Sequence, residues 1–160
     1  LRNESGPSVI ALTRQNLPTL RTRHTDENLT AKGAYVLEEA QAPAKVTLLA
    51  TGSEVGIAAQ AVQTLNSRGR RVRLVSMPSC DAFDRQDATY REQVLPSAVK
   101  RRIAVEAGVS AFWRQYVGLE GRIIGLDTFG LSGKAADVFK HFGFTAEHIV
   151  EVTEQLIDSK

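Results

Sequence analysis

The 160-residue chain is long enough for one domain with a substantial core, together with a piece of another domain. Hydrophobic residues make up 42% of the chain and charged residues 24%, as is ordinary for a soluble globular protein. The net charge of +2 argues against a broad nucleic-acid-binding surface, and no apolar run is long enough to span a membrane. The single cysteine, Cys80, excludes an intrachain disulfide and suits a reducing, cytoplasmic compartment.

The first thirty residues do not follow the pattern of the rest of the chain. Residues 9–13 have the composition of a buried strand, whereas residues 14–30 are mostly polar and include Pro18. A stretch of that length without regular structure is typical of an interdomain linker or a functional loop. We therefore expect residues 9–13 to be the last strand of a domain whose other strands are missing. The start at Leu1 rather than Met also suggests a processed piece of a longer protein.

Strand and helix patterns alternate through the remainder of the chain. Apolar strand-like runs are separated by about 20 to 30 residues, as parallel crossover connections require. These runs lie at residues 46–50, 72–77, 102–107 and 122–126. The alternation predicts an α/β fold, a three-layer α/β/α open sheet that is mostly parallel. Residues 34–38 are expected to add one antiparallel edge strand.

Helical periodicity and end signals predict five helices between and after these strands. A stripe of apolar residues runs from Val55 to Leu65 and stops at Gly69. Ser110 and Thr145 have the side chains of N-caps, and Pro96 and Gly118 are typical helix terminators. The four other helices are predicted at residues 87–95, 110–116, 134–142 and 145–157.

The turn after the first long strand, Thr51-Gly52-Ser53-Glu54, admits two interpretations. Such turns open helices whose N-termini bind anions in many α/β proteins. A dinucleotide site would also need the G-x-G-x-x-G spacing and an acid after the second strand, which instead ends Ser76-Met77-Pro78. Because Thr51 and Glu54 have capping-box spacing, structural capping is favoured over phosphate binding.

Arg14 directly follows the strand-like residues 9–13. A guanidinium at the carboxyl end of a buried strand is well placed to bind an anion, because its planar fork matches phosphate. Considered by itself, however, a loop arginine more often pairs with a nearby acid. The basic run at residues 68–73 is similarly interpreted as a solvated connection rather than a binding patch.

Other reactive side chains are expected to be structural. Cys80 has no evident base to generate a thiolate, and Asp81 and Asp84 suit a turn and a helix start rather than acid–base chemistry. Glu106 ends a strand and faces either a ligand edge or a domain interface; both remain open.

Trp113 and Tyr116 lie three residues apart, on one helical face, and suit core or interface packing rather than substrate stacking. No group of residues has the spacing of metal ligands, so no metal site is expected.

Several motifs together resemble the C-terminal portion of transketolases, which are thiamine-diphosphate enzymes. No single motif decides the resemblance, but their order and spacing are specific. The motifs lie at residues 12–18, 50–55, 75–79, 81–84, 90–92, 94–96, 105–108, 116–118, 128–130 and 142–145. One departure follows Gly130, where family members often carry an acid and then Ser-Ala-Pro. This chain has Leu131-Ser132-Gly133-Lys134 there.

The resemblance implies a division into three parts. Residues 1–16 would be the remnant of a pyrimidine-binding domain, residues 17–33 a linker, and residues 34–160 the C-terminal α/β domain. The intact parent would be a homodimer of the pentose phosphate pathway. It would transfer a two-carbon ketol group from a ketose phosphate to an aldose phosphate. Thiamine diphosphate and Mg²⁺ or Ca²⁺ would be held by residues outside this chain.

The resemblance also changes the interpretation of Arg14, which corresponds to an arginine that contacts the sugar phosphate. No catalytic, cofactor-binding or metal-binding residue is expected here, so the chain alone should be inactive and serve a structural, dimer-supporting role. Two alternatives remain. One is a freestanding α/β module that binds an anion or nucleotide at the Gly52 turn, and the other is a regulatory or dimerisation domain suggested by Trp113 and Tyr116.

Overall fold

The computed structural model describes residues 6–159 and centres on a five-stranded mixed sheet. The strand order across the sheet is β1-β3-β2-β4-β5, in which β1 is antiparallel to β3 and all other neighbours are parallel. The strands are β1 (Tyr35–Glu38), β2 (Val46–Ala50), β3 (Val72–Ser76), β4 (Arg102–Val105) and β5 (Arg122–Ile124). The predicted mostly parallel sheet with an antiparallel edge strand is therefore confirmed.

The central strand β2 shows why this sequence forms a buried parallel sheet. All five of its residues are buried, and its run of apolar and β-branched side chains suits a strand covered on both faces. Leu48 lies opposite Leu74 of β3 on one side and Ile103 of β4 on the other.

Helices cover both faces of the sheet and give the three layers. They are α1 (Glu54–Ser67), α2 (Cys80–Asp84), α3 (Ala88–Val94), α4 (Arg114–Val117), α5 (Ala135–His141) and α6 (Ala146–Asp158). Short 3-10 helices occupy Leu29–Lys32 and Ser110–Trp113. One apolar cluster joins α1 and α6 to Leu48 and Leu74, and a second, on the opposite face, joins Leu49 and Val75 to Trp113.

Several helix ends lie where the sequence predicts them. Thr145 caps α6 by accepting a hydrogen bond from the His148 backbone N–H at 3.2 Å. Asp87 caps α3 in the same way, accepting from the Tyr90 N–H at 2.8 Å. Gly69 has a positive φ, as expected of a residue that ends a helix.

The predicted cap at Ser110 is wrong. Ser110 is the first residue of a 3-10 helix whose N-cap is Val109, and its backbone N–H donates to the Asp127 carboxylate at 2.8 Å. Asp127 follows the neighbouring strand, so a contact distant in the sequence replaces the local cap. The helix predicted at residues 110–116 is formed as this 3-10 turn followed by α4. Helix α2 is not one of the five predicted helices, although a turn and a helix start were expected at Asp81 and Asp84; the Ser79 hydroxyl caps it by accepting from the Ala82 N–H.

Gly33 joins the N-terminal segment to the first strand. Its φ of +86° favours glycine, and a Cβ atom there would lie 2.2 Å from the Phe83 backbone nitrogen. The Gly33 carbonyl also accepts from the Ser79 N–H at 3.0 Å. The chain therefore enters the sheet through a position fixed against α2.

The strand predicted at residues 9–13 is not formed. The segment is irregular, and Val9 and Leu12 are 94% and 83% exposed. Within residues 6–159 no strand pairs with it, and an isolated strand leaves its backbone groups and apolar side chains in water. The prediction of a buried strand is therefore wrong for this chain by itself.

Candidate functional site

The parallel strands β2, β3, β4 and β5 all end at one edge of the sheet. In open α/β folds, ligands bind beyond the carboxyl ends of the strands, where the connecting turns lie side by side. The turns here begin at Thr51 after β2, at Met77 after β3 and at Glu106 after β4. These three turns define the carboxyl edge.

The Gly52 turn lacks the capping box that the sequence predicts. Helix α1 has no side-chain cap from Thr51 or Ser53 at its N-terminus, and its first N–H, that of Glu54, donates instead to the Thr51 backbone carbonyl at 3.2 Å. The Glu54 carboxylate instead accepts a hydrogen bond from the Ser53 hydroxyl at 3.0 Å. Glu54 is only 6% exposed, so packing turns its side chain inward and away from the capping position. Burial, reinforced by the nearby Glu106 carboxylate, raises the pKa of Glu54.

A groove of about 600 Å³ lies beside this turn. One wall is the first turn of α1, including Gly56, and the other is the linker, whose Pro18 ring would contact a Cβ at Gly56 at 3.6 Å. Strands β1 and β3 supply the floor through Tyr35 and Ser76. Arg21 lies over the Tyr35 ring, with 5.5 Å between the guanidinium carbon and the ring centroid.

The ionisable side chains with charge at neutral pH that line this groove are basic. Arg21, Arg23 and His24 line it, and no aspartate or glutamate does so among the described residues. His24 also contacts the Asp26 carboxylate at 3.1 Å, so the two guanidiniums carry most of the positive charge. The linker sequence contains clustered charges. The fold places two of them, Arg21 and Arg23, beside the carboxyl edge.

A second cluster at the carboxyl edge is structural. The Trp113 indole N–H donates to the Glu106 carboxylate at 2.6 Å, and the Tyr116 hydroxyl donates to Asp84 at 2.9 Å. The Tyr116–Asp84 bond joins the connections after β3 and β4, and the Trp113–Glu106 bond engages the Glu106 carboxylate within the connection after β4. Trp113 and Tyr116 are buried as core residues, so they offer no surface for dimerisation.

The Cys80 thiol is not an activated nucleophile. Burial is the main reason that its pKa is raised, and the Asp84 carboxylate acts in the same direction. Burial together with the hydrogen bond to Asp84 also raises the pKa of Tyr116. Both groups therefore keep their protons at neutral pH, in agreement with a structural cysteine.

The predicted site residue Arg14 lies in the irregular N-terminal segment and is exposed. It does not line the groove at the Gly52 turn, so the structure does not bring Arg14 together with that turn.

The basic run at residues 68–73 is engaged by acids of the same chain. Arg68 and Arg70 contact Glu154 at 3.2 and 3.5 Å, and the buried Arg73 contacts Glu39 at 2.9 Å. The pairing supports the interpretation that this run is not a binding patch.

Among residues 6–159, no group of three or more His, Cys, Asp or Glu side chains is arranged to hold a metal ion. No helix in this range is both long and apolar enough to cross a membrane.

Comparison with known proteins shows to which family this chain belongs. The model described as "Transketolase-like TK C-terminal domain" matches residues 33–145. Transketolase 2 of Aliivibrio fischeri is 47% identical over 157 residues, which are 98% of this chain and 24% of that protein. A probable transketolase of Streptococcus pneumoniae is 49% identical over 154 residues, or 96% of this chain and 23% of that protein.

Solved structures give the same result. The Pichia stipitis transketolase in complex with sedoheptulose-7-phosphate superposes with a TM-score of 0.80 at 36% identity. The match covers 90% of this chain and 20% of that one. The chain thus spans about a quarter of the length of the curated relatives it matches. It belongs to the family of transketolase C-terminal domains.

Proposed function

We propose that this chain is the C-terminal part of a transketolase. The intact enzyme transfers a two-carbon ketol group from a ketose phosphate to an aldose phosphate in the pentose phosphate pathway. The observation that carries this proposal is the match of residues 33–145 to the transketolase C-terminal domain. The relatives that share 47–49% identity with this chain are themselves transketolases, about four times as long.

The proposal divides the chain into three parts. Residues 1–16 belong to the preceding pyrimidine-binding domain, residues 17–33 are the linker, and residues 34–160 are the C-terminal domain. The exposed apolar side chains of Val9 and Leu12 support this division, because they have the pattern of a core strand without a core around them. In the intact cytoplasmic homodimer this segment would pair with the sheet of its own domain.

Thiamine diphosphate and Mg²⁺ or Ca²⁺ are assigned to the remainder of the enzyme. The residues of this chain do not fit a metal site, because no suitable group of ligands lies within residues 6–159 and the Glu106 carboxylate is already bonded to Trp113. The chain alone is therefore expected to be inactive. Purified chain incubated with the cofactor, Mg²⁺ and both sugar phosphates should give no turnover, and measurable ketol transfer would contradict the proposal.

Arg14 is proposed to bind the phosphate of the sugar substrate in the intact enzyme. Its side chain is exposed and lies outside the sheet domain, so it is accessible to a substrate held by the preceding domain. A guanidinium can form two parallel, charge-assisted hydrogen bonds with a phosphate. The Pichia stipitis enzyme, solved with a seven-carbon sugar phosphate, supports a phosphate-bearing substrate for this family.

The test is the variant Arg14→Gln in the intact enzyme. The KM for phosphorylated substrates should rise about tenfold to a hundredfold, the loss expected for a charge-assisted hydrogen bond. An acceptor aldehyde without a phosphate should show an unchanged KM. The matched control Arg85→Gln removes the same charge from an exposed site on α2's C-cap, and it should leave both values unchanged. An equal rise for both kinds of acceptor would overturn the assignment.

A further inference from the structure

The groove beside the Gly52 turn has a free helix N-terminus. Helix α1 has 14 residues, and no side chain caps its first turn. Uncapped N–H groups at the start of a helix carry a partial positive charge and attract anions. Gly52, Val55 and Gly56 line the groove, and neither glycine has a side chain to screen the backbone. The Glu54 N–H is already bonded to the Thr51 carbonyl, which leaves the N–H groups of Val55 and Gly56 as the donors of this helix end.

Ser76 gives an independent indication of a ligand. It is 8% exposed and lines the groove at the carboxyl end of β3. Side chains alternate along a strand, so Ser76 lies on the same face as Leu74, the face that α1 covers. Its hydroxyl makes no hydrogen bond with any other group in the described part of the chain. Ser76 Oγ is not one of the fully enclosed unpartnered atoms of the described residues, so this hydroxyl is open to the groove although the residue as a whole is buried.

Two arginines of the linker add positive charge to the groove. Arg21 and Arg23 approach from the linker, on the side of the groove opposite α1. Neither guanidinium is held by a carboxylate in the described residues, and no acidic side chain lines the groove to compete with an anion. Guanidiniums, a hydroxyl and backbone N–H groups are the donors that proteins use for phosphate.

We propose that this groove binds the phosphate group of a small phosphate monoester. Arg21 and Arg23 pair with the phosphate oxygens, and the Ser76 hydroxyl and the first N–H groups of α1 donate hydrogen bonds to them. The rest of the molecule lies along the Tyr35 ring and Pro18 in the remaining space of the groove. The proposal does not depend on the role of Arg14, which is not part of the groove.

The location is tested by NMR titration of the ¹⁵N-labelled chain. Inorganic phosphate, AMP and glucose 6-phosphate should each shift the amide signals of Gly52, Val55, Gly56 and Ser76. Adenosine and glucose share the organic parts but lack the phosphate, and they should leave these signals in place. If no phosphate compound shifts them at millimolar concentration, or if adenosine shifts them as AMP does, the proposal is wrong.

The arginines are tested by calorimetry with AMP. The double variant Arg21→Gln and Arg23→Gln should weaken binding about tenfold or more, because each guanidinium makes a charge-assisted contact. The matched control, Arg85→Gln with Arg91→Gln, removes the same charge from exposed positions and should change affinity less than about twofold. Equal weakening in both proteins would show diffuse attraction and overturn the site.

Ser76→Ala tests the buried donor. It should weaken AMP binding about threefold to tenfold, the range for one neutral hydrogen bond. The fold of each variant is checked by its amide spectrum outside the groove. If Ser76→Ala has unchanged affinity and the amide signals of Gly52 and Gly56 stay in place on titration, the groove is not the site.

Discussion

The sheet region, residues 33–159, and the N-terminal segment, residues 6–28, use apolar side chains in opposite ways. In the sheet region Leu48, Leu74 and Ile103 are fully buried in the apolar cluster that α1 and α6 cover. In the N-terminal segment Val9 and Leu12 are almost fully exposed. The stability of this chain therefore comes from the sheet region, whereas the proposed substrate residue Arg14 lies in the segment that adds little to it. Folding and substrate binding are assigned to different parts of one chain.

The largest expected effect contrasts one leucine from each region. Leu74→Ala should lower the free energy of unfolding by about 2 to 5 kcal/mol, because it removes buried methyl groups and leaves a cavity. Leu12→Ala removes the same atoms from an exposed position and should change it by less than about 0.5 kcal/mol. Urea denaturation measures both. A large loss for Leu12→Ala would show that the two regions share a core.

The next effect tests whether the carboxyl edge belongs to the stable region. Glu106→Ala leaves the buried Trp113 indole N–H without its acceptor and should cost about 1 to 3 kcal/mol. Glu106→Gln keeps an acceptor oxygen and should cost less. The same denaturation experiment compares them. Equal losses would mean that the hydrogen bond contributes little and that packing alone holds this edge.

The buried carboxyl group of Glu54 is expected to make the stability of the chain depend on pH. Burial raises its pKa in the folded chain above the ordinary 4.5, so the folded chain holds a proton that the unfolded chain has released. Stability from this group therefore falls as pH rises through the interval between the two pKa values. Glu54→Gln removes that loss. The variant should therefore be more stable than the parent chain at about pH 7, but not at a pH below the pKa of Glu54 in the unfolded chain.

Urea denaturation at both pH values tests this prediction. Comparing the two proteins at each pH cancels the contributions of Glu92 and Asp127, whose pKa values are lowered by hydrogen bonds from Ser97 and Ser110. A variant that is equally stabilised at both pH values would contradict the linkage, since its effect would then arise from packing.

The smallest effect is expected on the outer surface of the sheet region. Glu154 contacts both Arg68 and Arg70, yet all three side chains are partly exposed. Glu154→Gln should cost about 0 to 1 kcal/mol at low salt, and less at high salt because ions screen the pair. A cost well above this range that is insensitive to salt would indicate a buried network.

Much of the sheet region could be predicted because its signals are local. Continuous apolar runs identify parallel strands buried on both faces, and the caps at Thr145 and Asp87 need only residues within one helical turn. The antiparallel edge strand expected at residues 34–38 is formed as β1, which pairs with β3.

The failures share a different physical cause, which is competition from contacts distant in the sequence. Ser110 is bonded through its backbone to Asp127 rather than capping a helix, and Glu54 is drawn into the interior rather than toward the cap. The groove combines the linker with strands and a helix, so nothing local in the sequence indicates that Arg21 and Ser76 line the same groove. Residues 9–13 have the apolar pattern of a strand, but within residues 6–159 no neighbouring strand pairs with their backbone groups.

Gly33 has a consequence for exchanging parts between related enzymes. A side chain at this position would collide with the backbone of α2, and its carbonyl is bonded to Ser79. Upstream of it, the backbone is mostly exposed and makes few such contacts with the sheet region. A chimera that joins a foreign N-terminal domain before residue 29 should thus keep the sheet region intact. A chimera whose junction replaces Gly33 with another residue would displace α2 and disturb the packing of the core.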